Sequence, residues 1–195
     1  MNSKLNIFFQ YLYKFFKVSF FFWLYLLKGL VIYAVIPSAN ALLVTLKNIL
    51  EGVDEEDDIK ALYKKNYEAL ASERMSSFLF SISFILIYTA LFFVNKWSSS
   101  YSLAITLVLL YILALTVLLL LYSVYFLQFK NKNWKGIILL SFFSSIKYIH
   151  LSLAVLTLII IMYFTATYNF AFFVIFGPFL FGLGTNLIFT RVKSV

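Results

Sequence analysis

The stretch Phe15 to Pro37, FFKVSFFFWLYLLKGLVIYAVIP, decides how the chain reads. It is long enough to cross the roughly 30 Å hydrocarbon core of a bilayer. Beyond Lys17 at its head, one cation, Lys28, sits near the middle of its apolar course. An intramembrane cation costs about 2.5–3.5 kcal/mol on insertion scales, so Lys28 requires carbonyl, hydroxyl, lipid phosphate or partner contacts. Upstream, Ser3, Asn6, Gln10, Lys14 and Lys17 recur at intervals of three and four, which gathers them on one narrow helical stripe. Lys28 follows Gln10 by five helical turns and prolongs that stripe. The spacing predicts a nearly continuous helix, interfacial over 3–17 and spanning over 15–37, with one polar edge that packs against protein.

The rest of the composition agrees with a lipid solvent. Of 195 residues, 63% are hydrophobic and 12% charged, where soluble domains carry about 25% charged residues. No cysteine is present, which excludes disulfide scaffolds, thiolate metal sites and cysteine nucleophiles. The formal charge of +8 is spread over the ends of apolar runs, a pattern of headgroup contact rather than nucleic-acid binding. All eight acids lie between Glu51 and Glu73, so no apolar run holds a carboxylate for ion coupling.

Pro37 lacks an amide hydrogen and is read as the end of the first span, with Ser38 capping a short helix along the interface. The small residues Ala39-Asn40-Ala41 resemble a leader cleavage site, but the preceding run is longer than a signal-peptide core and is read as retained. Residues 51–77 form the polar segment, an acidic loop followed by a helix with Ile59, Leu62, Tyr63, Tyr67 and Leu70 on one face. Further spans are expected at 78–94, 102–127, 148–164 and 169–189. Residues 136–164 are too long for one crossing, so an amphipathic interfacial helix is expected up to Lys147, with Ser141, Ser144 and Ser145 on its polar side. Gly177-Pro178 predicts a kink, and Gly182-x-Gly184 predicts close helix packing. The fold class is therefore all-α, a polytopic membrane protein of five transmembrane helices plus amphipathic interfacial helices. Segments 38–77, 128–147 and the tail then share one face with eleven lysines and arginines, against four on the other. The positive-inside rule places that face and the C-terminus in the cytoplasm.

No HExxH, G-x-S-x-G, phosphate-binding loop or dinucleotide fingerprint occurs, so neither an enzyme nor a cofactor or metal site is expected. The candidate partner-contact residues are Lys28, Pro37, Lys47, Lys64, Lys147 and His150. Lys147 and His150 are three apart and are read as one helical side at headgroup level.

The layout resembles the YesL-like family, small multi-pass membrane proteins of Gram-positive bacteria with a domain of unknown function. The resemblance rests on Gly29-Leu30-Val31, on Ile36-Pro37-Ser38-Ala39-Asn40-Ala41-Leu42, on Lys47 with Glu51-Gly52, and on Asn133 to Leu156, NWKGIILLSFFSSIKYIHLSLAVL. Asn40 departs from the small residue usual there. The resemblance implies an accessory component of oligosaccharide uptake, with ABC permease subunits and the cytoplasmic ATPase as partners. A stand-alone transporter or substrate-binding component would need a polar cavity, for which Thr116, Ser123 and Asn186 join Lys28 as candidates. A membrane regulator of a sensor kinase is a third reading. No EAA-type coupling loop is present, so the chain is not expected to be the permease itself.

Overall fold

A computed structural model describes residues 2–52, 58–96, 101–129 and 134–192, with side chains from Lys4 onward. The helices in chain order are α1 (Asn2–Lys28), α2 (Val35–Glu51), α3 (Ile59–Glu68), a 3-10 turn (Ala71–Glu73), α4 (Arg74–Lys96), α5 (Ser102–Leu127), α6 (Trp134–Lys147), α7 (Ile149–Tyr168) and α8 (Phe170–Phe189). Among the described residues there is no strand. Four helical stretches are long and apolar enough to cross a membrane: Ala71–Lys96, Ser102–Leu127, Ile149–Tyr168 and Phe170–Phe189. This is an all-helical membrane protein. The interior of the acidic loop and Lys130, Lys132 and Lys193 lie outside the described residues.

The first expected span does not run to Pro37. Helix α1 stops at Lys28, which leaves its apolar continuation in a turn, and α1 is not among the four spanning candidates. The stop is a Schellman closure: the Val31 N–H donates to the Leu26 carbonyl at 2.8 Å, and the Leu30 N–H to Leu27 at 3.0 Å. Leu30 and Val31 both adopt left-handed backbone, with φ of 56° and 58°. Glycine normally takes that place, but Gly29 sits one residue too early. Its role is close approach: a Cβ on Gly29 would lie 2.4 Å from the Ala34 Cβ and 2.9 Å from the Tyr67 hydroxyl. Pro37 does not end a helix. It falls in the first turn of α2, where a missing N–H breaks no intrahelical bond. Ser38 is not a cap either, because its own N–H already bonds the Ala34 carbonyl at 2.8 Å.

Helix α2 was expected along the interface and is instead the centre of the molecule. It packs against α1, α3, α4, α5 and α8, and Ile36, Leu42, Leu43, Leu46 and Ile49 are buried. From Ile36 to Leu46 α2 is covered on nearly every side, and its buried positions include the polar Ser38, Asn40 and Thr45. Gly182 of α8 permits the closest approach, since a Cβ there would lie 2.5 Å from Leu46 Cδ1. Gly184 does the same toward α7, where a Cβ would lie 2.8 Å from Leu158 Cδ2. Both glycines serve close helix packing, as their spacing predicted.

Helix α6 ends at Lys147 and α7 begins at Ile149, so the division expected there is present. The orientation of α6 is the reverse of expectation. Ser141, Ser144 and Ser145 are buried, while Leu139, Phe142, Phe143 and Ile146 are exposed. The serines meet other helices and the apolar side chains face outward, as they do in lipid, where small residues favour helix contact.

Burial is concentrated at one end of the bundle. In α5 it starts at Leu118, in α7 it ends at Val155, and in α8 it starts at Gly177. The far halves of the α4–α5 and α7–α8 pairs present exposed apolar residues such as Tyr88, Phe93, Leu107, Tyr163 and Phe170.

Candidate functional site

Two interruptions in the helical hydrogen-bond ladder shape the centre of the molecule. The first is Pro178, inside α8. In an unbroken helix, residue 178 would donate to the Val174 carbonyl. Proline cannot, and the Trp23 indole N–H takes that place, donating to Val174 O at 2.8 Å. The Phe179 N–H donates to Ser19 Oγ at 3.1 Å. Ser19 and Trp23 are four apart and share one face of α1. Helix α8 thus runs through Pro178 with its broken bonds replaced by side chains of α1.

The second interruption is the turn between α1 and α2. Ser77 Oγ accepts from the Ile36 N–H at 3.0 Å, and Ser81 Oγ donates to the Ile32 carbonyl at 3.0 Å. These serines are also four apart, now on α4. Two pairs with the same spacing therefore repair two backbone breaks.

The remaining buried polar side chains are largely used in the same way. Asn186 donates to the Leu43 carbonyl at 2.8 Å. Asn40 donates to the Asn66 carbonyl at 3.0 Å, and Asn66 to Thr45 Oγ1 at 2.9 Å. Tyr63 donates to the Ser38 carbonyl at 3.0 Å. Burial first, then the neighbouring Tyr67 and Tyr25, pushes the Tyr63 hydroxyl well above the usual phenol range. Ser123 and Ser141 bond at 3.1 Å, Tyr122 and Ser152 at 3.2 Å. Thr116 donates to its own helix at Ile112. The residues considered for a polar cavity, Thr116, Ser123 and Asn186, are bonded within or between helices.

A cavity of about 670 Å³ opens at the turn that ends α1. Lys28, Lys64 and Arg74 line it beside a single carboxylate, Glu68. Tyr67 stands at its wall, with its hydroxyl against Gly29. Lys64 lies 3.8 Å from Glu68 in an exposed pair. Lys28 is exposed, with Nζ 5.7 Å from the Tyr25 ring centroid. Among the described residues neither Lys28 nor Arg74 forms a salt bridge. The cavity therefore unites two sequence candidates, Lys28 and Lys64, with a third cation at the start of α4. Arg74 had a signal in the sequence, a cation at the head of an apolar run, but nothing there tied it to Lys28.

The other candidates lie elsewhere. Pro37 is buried in α2. Lys47 pairs with Glu51 at 3.9 Å and lies with Gln128 and Thr190 around a smaller cavity of about 150 Å³. That contact brings the ends of α2, α5 and α8 to one end of the bundle. Lys147 closes α6 while His150 belongs to α7, and Tyr148 breaks the helix between them. They are not one helical side, and Lys147 instead lies 5.3 Å from the Tyr148 ring centroid. The polar edge of α1 is not its packed edge either. Val18, Ser19 and Tyr25 are buried, whereas Asn6, Gln10 and Lys28 are exposed. The most deeply packed positions of α1 are aromatic and small residues set against α2, α3 and α8, while Lys14 and Lys17 are half-buried.

A second cavity, about 410 Å³, lies between α1, α2, α5, α7 and α8. Every residue lining it is apolar, including Trp23, Val117, Met162 and Phe181. Among the described residues no group of His, Cys, Asp or Glu comes together to hold a metal ion. No protein-family model, no curated protein and no solved structure matches this chain.

Proposed function

We propose that this chain is a non-catalytic accessory subunit of a carbohydrate ABC importer, packed against the permease within the cell membrane. The observation that carries the reading is the wholly apolar groove between Trp23, Val117, Met162 and Phe181. It lies between α1, α2, α5, α7 and α8, and the outer halves of α5, α7 and α8 expose large apolar side chains. Such a surface accepts side chains of a neighbouring membrane helix. The identity of the partner comes from the resemblance to YesL-like proteins alone. Of the polar side chains that a stand-alone transporter would place along a path, Thr116, Ser123 and Asn186 are bonded to helix backbones or to another side chain, and Lys28 alone lines a polar cavity.

In this proposal α1 is a fifth membrane-embedded helix. Ser19 and Trp23 bond backbone atoms of Phe179 and Val174, inside α8, which supports a shared depth for the two helices. The end of the bundle that holds Lys47, Gln128 and Thr190 is the cytoplasmic one, with the C-terminus. The α3 segment on that side offers the ATPase a charged surface through Lys64 and its neighbours.

The test is affinity purification in mild detergent from native membranes. The expected result is recovery of a carbohydrate permease and its ATPase with the wild type. Filling the groove with Val117→Trp should release the permease while the helical signal is retained. Recovery of neither partner with the wild type would overturn the proposal.

A further inference from the structure

The cavity at the end of α1 combines charge and apolar surface in a way that defines its ligand. Three cations, Lys28, Lys64 and Arg74, face one carboxylate, and that carboxylate is already close to Lys64. The surplus positive charge is therefore carried by Lys28 and Arg74. Arg74 is the first residue of α4 and the fourth of the apolar stretch Ala71–Lys96, a position where cations commonly meet lipid headgroups. Leu30 and Met75 line the same cavity and are 73% and 68% exposed. Leu79, one turn along α4 from Met75, is 59% exposed and extends the apolar surface along the span.

The backbone supports this arrangement. Leu30 holds a left-handed conformation that is unfavourable for a side chain of its size, and it does so with its side chain outward rather than in the core. The absence of a side chain at Gly29 leaves room for the Tyr67 hydroxyl at the same wall. A phosphate group would offer acceptors to Lys28, Arg74 and Tyr67, and acyl chains would cover Leu30, Met75 and Leu79. A soluble phosphate would leave the apolar wall uncovered.

We propose that this cavity is a binding site for an anionic phospholipid, with its phosphate between Lys28 and Arg74. The site does not depend on any permease, so it is tested on the purified protein alone. The experiment is native mass spectrometry in mild detergent with added phosphatidylglycerol, phosphatidylcholine or glycerol 3-phosphate at matched concentrations. Phosphatidylglycerol should be retained, and the other two should not. Removing both cations, Lys28→Gln with Arg74→Gln, should weaken retention roughly 25-fold, at about fivefold per cation. Lys147→Gln, outside the cavity, should match the wild type. Retention by the double variant equal to wild type would overturn the proposal. So would equal retention of phosphatidylcholine, or binding of glycerol 3-phosphate as tight as that of the lipid, which would indicate a soluble-phosphate site. A second measurement needs no substitution: wild-type retention should fall as salt rises, and retention indifferent to salt would count against the site.

Discussion

Trp23 and Val174 are joined by a hydrogen bond of 2.8 Å that Pro178 makes necessary. The Val174 carbonyl loses its helical donor because residue 178 has no N–H, and the indole supplies one. Trp23→Phe should leave that carbonyl unpaired and lower stability by about 1–3 kcal/mol. In a Pro178→Ala background the alanine N–H can serve Val174, so the same change should cost less. Thermal unfolding of all four proteins of the cycle in detergent measures the difference. An equal cost in both backgrounds would contradict the assignment.

Leu30 and Gly29 give a paired prediction. Leu30 is exposed and left-handed, so Leu30→Gly should remove about 1–2 kcal/mol of backbone strain with little loss of packing. Gly29→Ala should do the opposite, costing about 1–3 kcal/mol as the new methyl meets Ala34 and Tyr67. The midpoints of thermal unfolding should therefore move in opposite directions. A stabilising Gly29→Ala would show that this close approach is not maintained.

Thr185 is fully buried on α8, and its hydroxyl has no hydrogen-bond partner among the described residues. Replacing the hydroxyl by a methyl of similar shape removes an uncompensated polar group. Thr185→Val should raise stability by about 1 kcal/mol. A loss of stability in the same unfolding assay would mean that the hydroxyl is satisfied.

Tyr63 makes stability sensitive to alkali. Its folded hydroxyl is raised above the ordinary value of 10.0, chiefly by burial. Its contribution is therefore fully present below the unfolded pKa and is lost as pH rises through the folded one. Tyr63→Phe should cost about 0.5–1.5 kcal/mol at neutral pH through the lost bond to Ser38. The gap between wild type and variant should narrow above about pH 10. A gap that stays constant into alkali would refute the role given to burial.

The boundaries of the apolar elements after the first were legible in the sequence. Residues 102–127 form α5 as expected, and the division at Lys147 is real. The buried face of α3 was legible too, with Ile59, Leu62 and Tyr63 inside. The direction of α6 was not. A stripe of serines shows that a helix has two unlike faces, but in lipid the polar stripe can turn inward as readily as out. The same ambiguity misplaced the polar edge of α1. The central place of α2 was hidden for another reason: its length suggested a surface helix, and nothing local to it records the five helices that surround it.

Of the candidate site, the sequence supplied Lys28 and Lys64 as separate cations. Their meeting with Arg74 depends on the turn at 29–34, which depends in turn on Ser77 and Ser81 of a different helix. Lys47, Lys147 and His150 looked equally suited by type, and packing sent them elsewhere.

The sequence by itself determined that the chain is helical and resides in a membrane. Those properties follow from sums over neighbouring residues, since transfer into lipid and backbone bonding within a helix are local. Tertiary structure alone decided that the first helix breaks after Lys28, which faces turn inward and which cations share a cavity. Those outcomes rest on single bonds between residues as distant as Trp23 and Val174, 151 positions apart. The pairing is set by which side chain reaches an unpaired backbone group, and no window of sequence contains both partners.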